Sequence, residues 1–189
     1  MGAATLLRQA RLSIAVSQRE LAQRAGVAQP AVAVVERSHR DPSVGTLEHL
    51  LRSAGHRLIT IPTWATTAAE AADELRQAVG SDRQTRALRL LIGFSDGLAA
   101  QSPDVRVALC VTRPASCGDR RIDAALAGLV EHHLAPGGLP IPAWVSEPER
   151  SLADEWVVDP YAADDIAAVA VPALHRHGVL LAKSELASV

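Results

Sequence analysis

Apolar residues recur every three or four positions near the start of the chain, which predicts a first helix from about Thr5 to Ala15. The apolar positions are Leu6, Leu7, Ala10 and Ile14. A second helix begins at Ser17, because Ser17 and Glu20 have the spacing of a capping box that satisfies two free amides. Gly26 tolerates the left-handed backbone that ends a helix, so we expect this helix to be short.

Two more helices follow at similar spacing. A third helix is expected from about Ala28 to Arg37, since a proline such as Pro30 is tolerated in the first turn. Ser43 is the expected cap of a fourth helix that ends near Gly55. Its predicted inward-facing residues are Val44, Leu47, Leu50 and Leu51. Two short helices joined by a glycine turn, preceded by a longer helix, form a helix-turn-helix.

Several short motifs stand at characteristic spacing in this segment. They are the run Ser17 to Ala22, Ala25 to Val27, Gln29-Pro30 with Val32, Val35 to Arg37, Asp41 to Ser43, and Thr46-Leu47. With these motifs, the segment from Leu6 to Leu58 resembles the Xre/Cro/CI-type helix-turn-helix family. The resemblance implies a lambda-repressor-like domain of four to five helices that reads double-stranded DNA as a dimer. The alternative is a small helical bundle with no DNA-binding role.

The predicted third helix offers few polar side chains for base recognition. Its inner side carries Val32 and Val35, at 100° per residue. Its outer side carries Pro30, Ala33, Val34 and Arg37. Direct readout would therefore rest on Gln29, which can bridge adenine N6 and N7, and on contact of Ala33 or Val34 with thymine methyl groups. We expect modest specificity, biased to A·T steps, with most affinity coming from phosphates.

Phosphate contacts are predicted at two places that flank this helix. Gln18 and Arg19 begin the second helix, where free amides and the positive end of the helix dipole attract anions. Arg37, His39 and Arg40 follow the third helix and are expected to reach the DNA backbone. Two alternatives remain open: each arginine is an ordinary solvated charge, or the third helix packs on protein, such as this chain's own second domain.

The distribution of charge strengthens the DNA-binding interpretation. The whole chain has a formal charge of -2 and a pI near 6.4, which suggests no polyanion partner. Residues 1–62, however, hold eight arginines against four acidic residues, whereas residues 63–189 carry a net charge of -6. A basic segment joined to an acidic one suggests that the first meets phosphate and the second meets protein or solvent.

The predicted architecture is mainly α, with a short strand after the first domain. We expect domain 1–62 for DNA binding, a linker at 63–68 with Trp64 packed, and a mostly helical domain at 69–189. The strand is expected at His56 to Ile61, and it needs a partner from a second subunit or from the C-terminal domain. The larger helices expected beyond the linker are Ala68 to Val79, ended by Gly80, Asp82 to Ala100, with Leu88, Leu91, Ile92 and Leu98 buried, and Asp119 to Leu134.

The end of the chain is predicted less uniformly. Val105 to Val111 is either a short helix or a buried strand. Pro136 to Trp144 is rich in glycine and proline and is expected to be irregular. Short helices are expected to begin at Asp164 and Pro172, and Val179 to Leu181 is a candidate strand.

A second set of motifs lies in the C-terminal half. The set consists of Leu139-Pro140 with Pro142 to Val145, Glu147 to Arg150, and Pro172-Ala173 with Gly178-Val179. In these motifs the half is similar to C-terminal regions of helix-turn-helix proteins from high-GC actinobacteria. Some such proteins are encoded beside nucleotidyltransferase-type toxins, so the resemblance implies an antitoxin that represses its own operon, with the toxin bound by an acidic surface. The alternative is a regulator whose C-terminal domain senses a small molecule.

Candidate catalytic chemistry is sparse. Cys110 and Cys117 are separated by six residues, which suits neither a disulfide framework nor a zinc site, so we expect reduced thiols. The pairs His132-His133 and His175-x-His177 lack the further ligands of a metal site. No phosphate-binding loop or nucleophile elbow is recognisable. We therefore expect no enzymatic activity, cofactor or metal, and, without a signal peptide or membrane span, a cytoplasmic location.

Overall fold

The computed structural model describes residues 2–78, 83–159 and 165–186. The chain divides into two compact units, Met1–Pro62 and Thr63–Val189. Regular structure in the described residues consists of eleven α-helices and two short strands, so the prediction of a mainly α protein is confirmed. The expected helix end at Gly80 and the expected helix starts at Asp82 and Asp164 lie outside the described residues.

The N-terminal unit consists of four helices around one aliphatic core. The helices are α1 (Ala3–Ser13), α2 (Gln18–Ala25), α3 (Gln29–Glu36) and α4 (Val44–Ser53). Each contributes at least one side chain with no more than 2 % of its surface exposed, and these are Leu7, Leu21, Val32 and Leu50. The helical periodicity thus predicted correctly that Leu7 of α1, Val32 of α3 and Leu50 of α4 lie on the buried side of their helices.

The predicted caps of α2 and α4 are confirmed in atomic detail, whereas α1 begins and ends two residues earlier than the predicted Thr5 to Ala15. Ser17 Oγ accepts the Glu20 amide at 3.1 Å, while Glu20 Oε2 accepts the Ser17 amide at 2.7 Å. Gly26 ends α2 with a φ of +64°, in the left-handed region that glycine enters without strain. Ser43 accepts the Thr46 amide and begins α4, whereas Ala28 precedes α3 without a side-chain cap.

Three predictions near the ends of elements are wrong. No strand forms between His56 and Ile61, because a strand needs a neighbour for its backbone groups, and the two strands described here pair with each other. Val44 is 70 % exposed, since it is the first residue of α4 and precedes the turn that reaches the core. Trp64 is fully exposed and not packed.

The C-terminal unit is a helical assembly with one minimal sheet. Its helices are α5 (Ala68–Gln77), α6 (Arg83–Ala99), α7 (Pro103–Cys110), α8 (Arg120–Leu134), α9 (Ile166–Val169), α10 (Pro172–Arg176) and α11 (Lys183–Leu186). Strands β1 (Trp156–Val157) and β2 (Val179–Leu180) pair in parallel, with Trp156 opposite Val179. Three 3-10 turns are Ala135–Gly137, Ala143–Ser146 and Pro148–Arg150.

The structure decides the points that periodicity left open. The segment from Val105 belongs to helix α7, because Pro103 begins that helix and only Leu109 and Cys110, at its end, are buried. Leu91 and Leu98 of α6 are buried as predicted, but Leu88 and Ile92 are only half-buried. A rotation of about 100° per residue predicts the face of the helix on which a side chain lies. How deeply that side chain is buried depends on the elements that pack against this face.

Helix α8 forms the centre of the C-terminal core. Ten of its 15 residues are buried, and several are alanine or glycine. Such small side chains allow neighbouring helices to approach closely, as α10 does at Gly128. A Cβ atom at Gly128 would lie 2.9 Å from the Cα atom of Leu174, which is closer than real Cβ contacts.

We expect the variant Gly128→Ala to lower the free energy of unfolding of the C-terminal unit by about 1–3 kcal/mol, because the backbone of α10 must move. The matched control is Gly93→Ala in α6, where an added Cβ meets nothing within 4 Å. That change should raise stability by about 0.5–1 kcal/mol through helix propensity alone. Urea unfolding followed by tryptophan fluorescence measures both, and effects of the same sign would contradict the close approach.

Candidate nucleic-acid interface

The surface formed by the start of α2, α3 and the turn after α3 carries the residues predicted to contact DNA. Gln18 is half-buried, and most of the others are exposed: Arg19, Gln29, Pro30, Val34, Arg37, His39 and Arg40. Gln29 and Pro30 occupy the first turn of α3, the end of a recognition helix that approaches base edges in helix-turn-helix complexes. Gln29, the residue predicted to read bases, thus lies in the turn of α3 where such a contact is expected.

A hydrogen bond joins the two glutamines of this surface. Gln29 Nε2 donates to Gln18 Oε1 at 3.3 Å, and Gln18 Nε2 donates to Glu36 Oε2 at 2.8 Å. The amide of Gln18 is therefore held from both sides, which orients it toward Gln29. The sequence predicted Gln18 and Gln29 as separate contacts and did not predict this chain of bonds.

The carboxylate that accepts the hydrogen bond from Gln18 belongs to a mostly buried ion pair between Arg11 and Glu36. Arg11 Nε and Nη2 donate to the two carboxylate oxygens of Glu36 at 2.7 and 2.9 Å. A third donor, Arg11 Nη1, bonds the carbonyl oxygen of Val16 at 2.8 Å. The side chains of Arg11 and Glu36 are only 12 % and 3 % exposed, so this pair connects α1 to the end of α3 within the protein.

The electrostatics of the pair follow from its burial and its donors. Burial by itself would raise the pKa of Glu36, but hydrogen bonds from Arg11 and Gln18 outweigh burial and leave this pKa below its ordinary value. The hydrogen bond to Glu36 likewise raises the pKa of Arg11. Both groups are thus charged across the neutral range, and the bonds that hold Gln18 persist there.

The exposure predicted for one candidate base-contacting residue, Ala33, is wrong. Ala33 was expected to be exposed beside Val34, but only 7 % of its surface is accessible. Gln29 and Arg37, one helical turn before and after Ala33, carry longer side chains and are exposed, whereas the short side chain of Ala33 is not. Val34 remains 36 % exposed, so of these two residues Val34 is the better candidate for the predicted contact with a thymine methyl group.

The turn after α3 directs the basic residues that follow it. The amides of Ser38 and His39 donate to the carbonyl oxygens of Val35 and Val34 at 3.0 and 3.1 Å, and Ser38 has a φ of +56°. This is the pattern of a Schellman helix end, which fixes the path of the chain into His39 and Arg40. Within residues 2–78, 83–159 and 165–186, no ion pair is found for Arg19, Arg37 or Arg40, so their donors are available to phosphate.

The histidine pairs have structural partners in the C-terminal unit. His133 Nε2 lies 2.8 Å from Ser95 Oγ, and burial lowers the pKa of His133 to about 4. His177 is buried, with Nδ1 2.7 Å from the carbonyl oxygen of Arg150 and Nε2 2.8 Å from Glu131. Among the described residues, no group of three or more histidine, cysteine, aspartate or glutamate side chains could hold a metal ion.

Cys110 and Cys117 are free and buried, as the sequence predicted for reduced thiols. Burial raises the pKa of both thiols to about 12, which keeps them protonated and unreactive at neutral pH. None of the helices in the described part of the chain has the length and apolar character needed to cross a membrane.

Comparisons with known proteins agree with the N-terminal geometry. No match was found among curated proteins or among solved structures. Residues 7–53, which run from α1 to the end of α4, match the family model described as helix-turn-helix, and this match supports a DNA-binding transcriptional regulator.

Proposed function

We propose that this protein is a repressor that binds a double-stranded operator as a homodimer, with α3 in the major groove. The observation that carries the proposal is the exposed α3 surface, on which Gln29 stands at the base-reading end and Arg37 and Arg40 lie free beyond the other end. The proposed DNA contacts are Gln18, Arg19, Gln29, Pro30, Val34, Arg37, His39 and Arg40, with Ala33 recessed among them.

Each residue type has a distinct part in this proposal. The amide of Gln29 can bond adenine N6 and N7, and Gln18 holds Gln29 in place through the hydrogen bond between them. Arg19, Arg37 and Arg40 contact phosphates and supply affinity without sequence information. So few base readers on one unit favour a dimer, which reads two half-sites, and a bound dimer represses by covering the promoter.

We expect Arg40→Gln to weaken binding to the operator and to unrelated DNA by the same factor. The salt dependence, plotted as log K against log salt concentration, should become shallower by about one unit, because one phosphate contact is lost. Arg52→Gln is the control, since Arg52 is paired with Glu48 on α4 and lies outside the proposed interface. Fluorescence anisotropy across a salt series measures both variants, and an unchanged slope for Arg40→Gln would remove Arg40 from the interface.

A rival role for the α3 surface is contact with protein. If α3 packs on this chain's own second domain, removal of the residues after Pro62 should raise the affinity for DNA. If α3 instead faces DNA, the affinity should stay equal, or fall because dimerisation is lost.

The C-terminal unit is proposed to bind a partner protein, namely a toxin of the nucleotidyltransferase type. Its net charge of -6 over residues 63–189 supports this assignment, because an acidic surface complements a basic one and speeds association. Co-expression with the product of the adjacent gene tests it. A stoichiometric complex that forms without operator DNA supports the antitoxin role, and separate elution of the two proteins contradicts it.

A second candidate function is the sensing of a small molecule, and a cavity in the C-terminal unit favours it. The cavity is lined mainly by charged side chains from the loop before α8, the start of α8 and the turn Pro148–Arg150, and it has a volume of about 420 Å³. In this case a metabolite, and not a protein, copurifies with the chain and changes its DNA affinity.

A further inference from the structure

The cavity of the C-terminal unit lies where three pieces of chain meet. They are the loop before α8, which contributes Arg113 and Ser116, the first turn of α8, and the 3-10 turn Pro148–Arg150. Its volume of about 420 Å³ falls within the range of natural small-molecule sites. The cavity is thus large enough for a compact metabolite and is open to solvent.

Two arginines of the lining already hold carboxylates. Arg150 is 3 % exposed and donates to Asp123 at 3.0 Å and to the carbonyl oxygen of Pro114 at 2.6 Å. Arg113 Nε donates to both carboxylate oxygens of Glu147, at 2.7 and 2.9 Å. These ion pairs hold the side chains of the cavity lining in place. Because each arginine is paired with a carboxylate, little of its charge is available to a ligand.

Two other lining residues carry opposite charges and form no ion pair among the described residues. Arg120 is exposed, and its one hydrogen bond among the described residues is a long contact of 3.4 Å from Nη2 to the carbonyl oxygen of Ser151. Glu149 is exposed and has neither a hydrogen bond nor an ion pair within the described ranges. A guanidinium and a carboxylate without ion-pair partners in the described ranges therefore border the same cavity. The charge of Glu149 also acts on Arg113, but Arg113 is already paired with Glu147.

We infer that this cavity binds a small zwitterion, such as an amino acid or a dipeptide. The guanidinium fork of Arg120 matches a carboxylate, and the carboxylate of Glu149 accepts hydrogen bonds from an ammonium group. A simple anion would leave Glu149 without a partner and would be repelled by it. The inference names the class of ligand for the small-molecule sensing proposed above. It rests on that proposed function only for the biological role of the bound zwitterion.

The test uses the full chain and is carried out without DNA. Isothermal titration with the standard amino acids, glycylglycine and inorganic phosphate identifies the ligand and separates free amino acids from peptides and from plain anions. For the zwitterion that binds, Arg120→Gln and Glu149→Gln should each weaken binding by about 10-fold to 100-fold, since each removes one charge-assisted bond. Arg89→Gln, an exposed arginine of α6 outside the lining, should leave the affinity unchanged.

Three results would overturn the inference. They are the absence of binding by every amino acid and dipeptide, binding that both lining variants leave unchanged, and phosphate binding that is indifferent to Glu149→Gln. Arg120 and Glu149 are exposed, so the variants should keep the melting temperature of the parent, and this is measured first. Failure of this test leaves the DNA-binding proposal intact, because the latter is tested separately through Arg40.

Discussion

Replacement of Asp123 by alanine should lower the free energy of unfolding of the C-terminal unit by about 3–5 kcal/mol, the usual cost of removing one partner of a buried ion pair. The side chains of Asp123 and Arg150 are 7 % and 3 % exposed. Asp123 also accepts Ser116 Oγ at 2.6 Å and the Cys117 amide at 2.9 Å. The substitution therefore leaves a buried guanidinium without a counter-charge and two further donors without an acceptor.

The tryptophans of this chain make the effect measurable in the full protein. All three lie after residue 62, and the ring of Trp144 is 5.3 Å from the guanidinium carbon of Arg150. Urea unfolding followed by tryptophan fluorescence thus reports on the unit that contains the pair. The control is Asp73→Ala, which removes a half-buried i,i+3 partner of the exposed Arg76 and should cost no more than about 0.5 kcal/mol. Equal effects of the two substitutions would show that the Asp123 pair is not closed in solution.

The helix ends of the N-terminal unit were predictable because their interactions are local. The bonds between Ser17 and Glu20 span three residues, and the left-handed turn at Gly26 depends on a single residue. Such features are encoded in short stretches of sequence, independently of the rest of the fold.

Features that depend on distant partners were not predictable in the same way. The pairs Arg11–Glu36 and Arg150–Asp123 join residues 25 and 27 positions apart, and only the packing of helices brings them together. The alternation at His56 to Ile61 suggested a strand, yet a strand exists only where another chain segment completes its hydrogen bonds. Residue type and spacing predict which secondary structures and contacts a segment can form, whereas the segments packed against it determine which of them it forms.

The candidate interface shows the same division. The helical spacing placed Val32 and Val35 in the core correctly, but it could not give the depth of Ala33. It also gave no sign that Gln29 is held by Gln18 and, through Gln18, by Glu36. Part of the proposed base-reading surface is therefore set by an ion pair whose side chains are only 12 % and 3 % exposed.

Replacement of Glu36 by glutamine should lower the free energy of unfolding of the N-terminal unit by about 3 kcal/mol at pH 7, because Arg11 keeps its charge in a buried place without a carboxylate. The loss should shrink on acidification. The folded-state pKa of Glu36 lies below its ordinary value, so its stabilisation is fully present above the unfolded-state value of about 4.3 and is lost as the pH falls through the folded-state value.

The measurement has to report on the N-terminal unit, which contains no tryptophan. Hydrogen exchange of the α1 and α3 amides gives the opening free energy of this unit in the full chain. The control Glu48→Gln, in the exposed i,i+4 pair with Arg52, should change exchange by no more than about 0.5 kcal/mol.

DNA binding at neutral pH supplies a readout that stability alone would not move. Under conditions in which the Glu36→Gln variant stays folded, it should keep its affinity for unrelated DNA, because the arginines proposed to contact phosphates are unchanged. Its preference for the operator should fall, since Gln18 loses the carboxylate that orients it toward Gln29. A parallel loss of affinity for both DNAs would instead mean that Glu36 stabilises the unit without positioning its base-reading side chains.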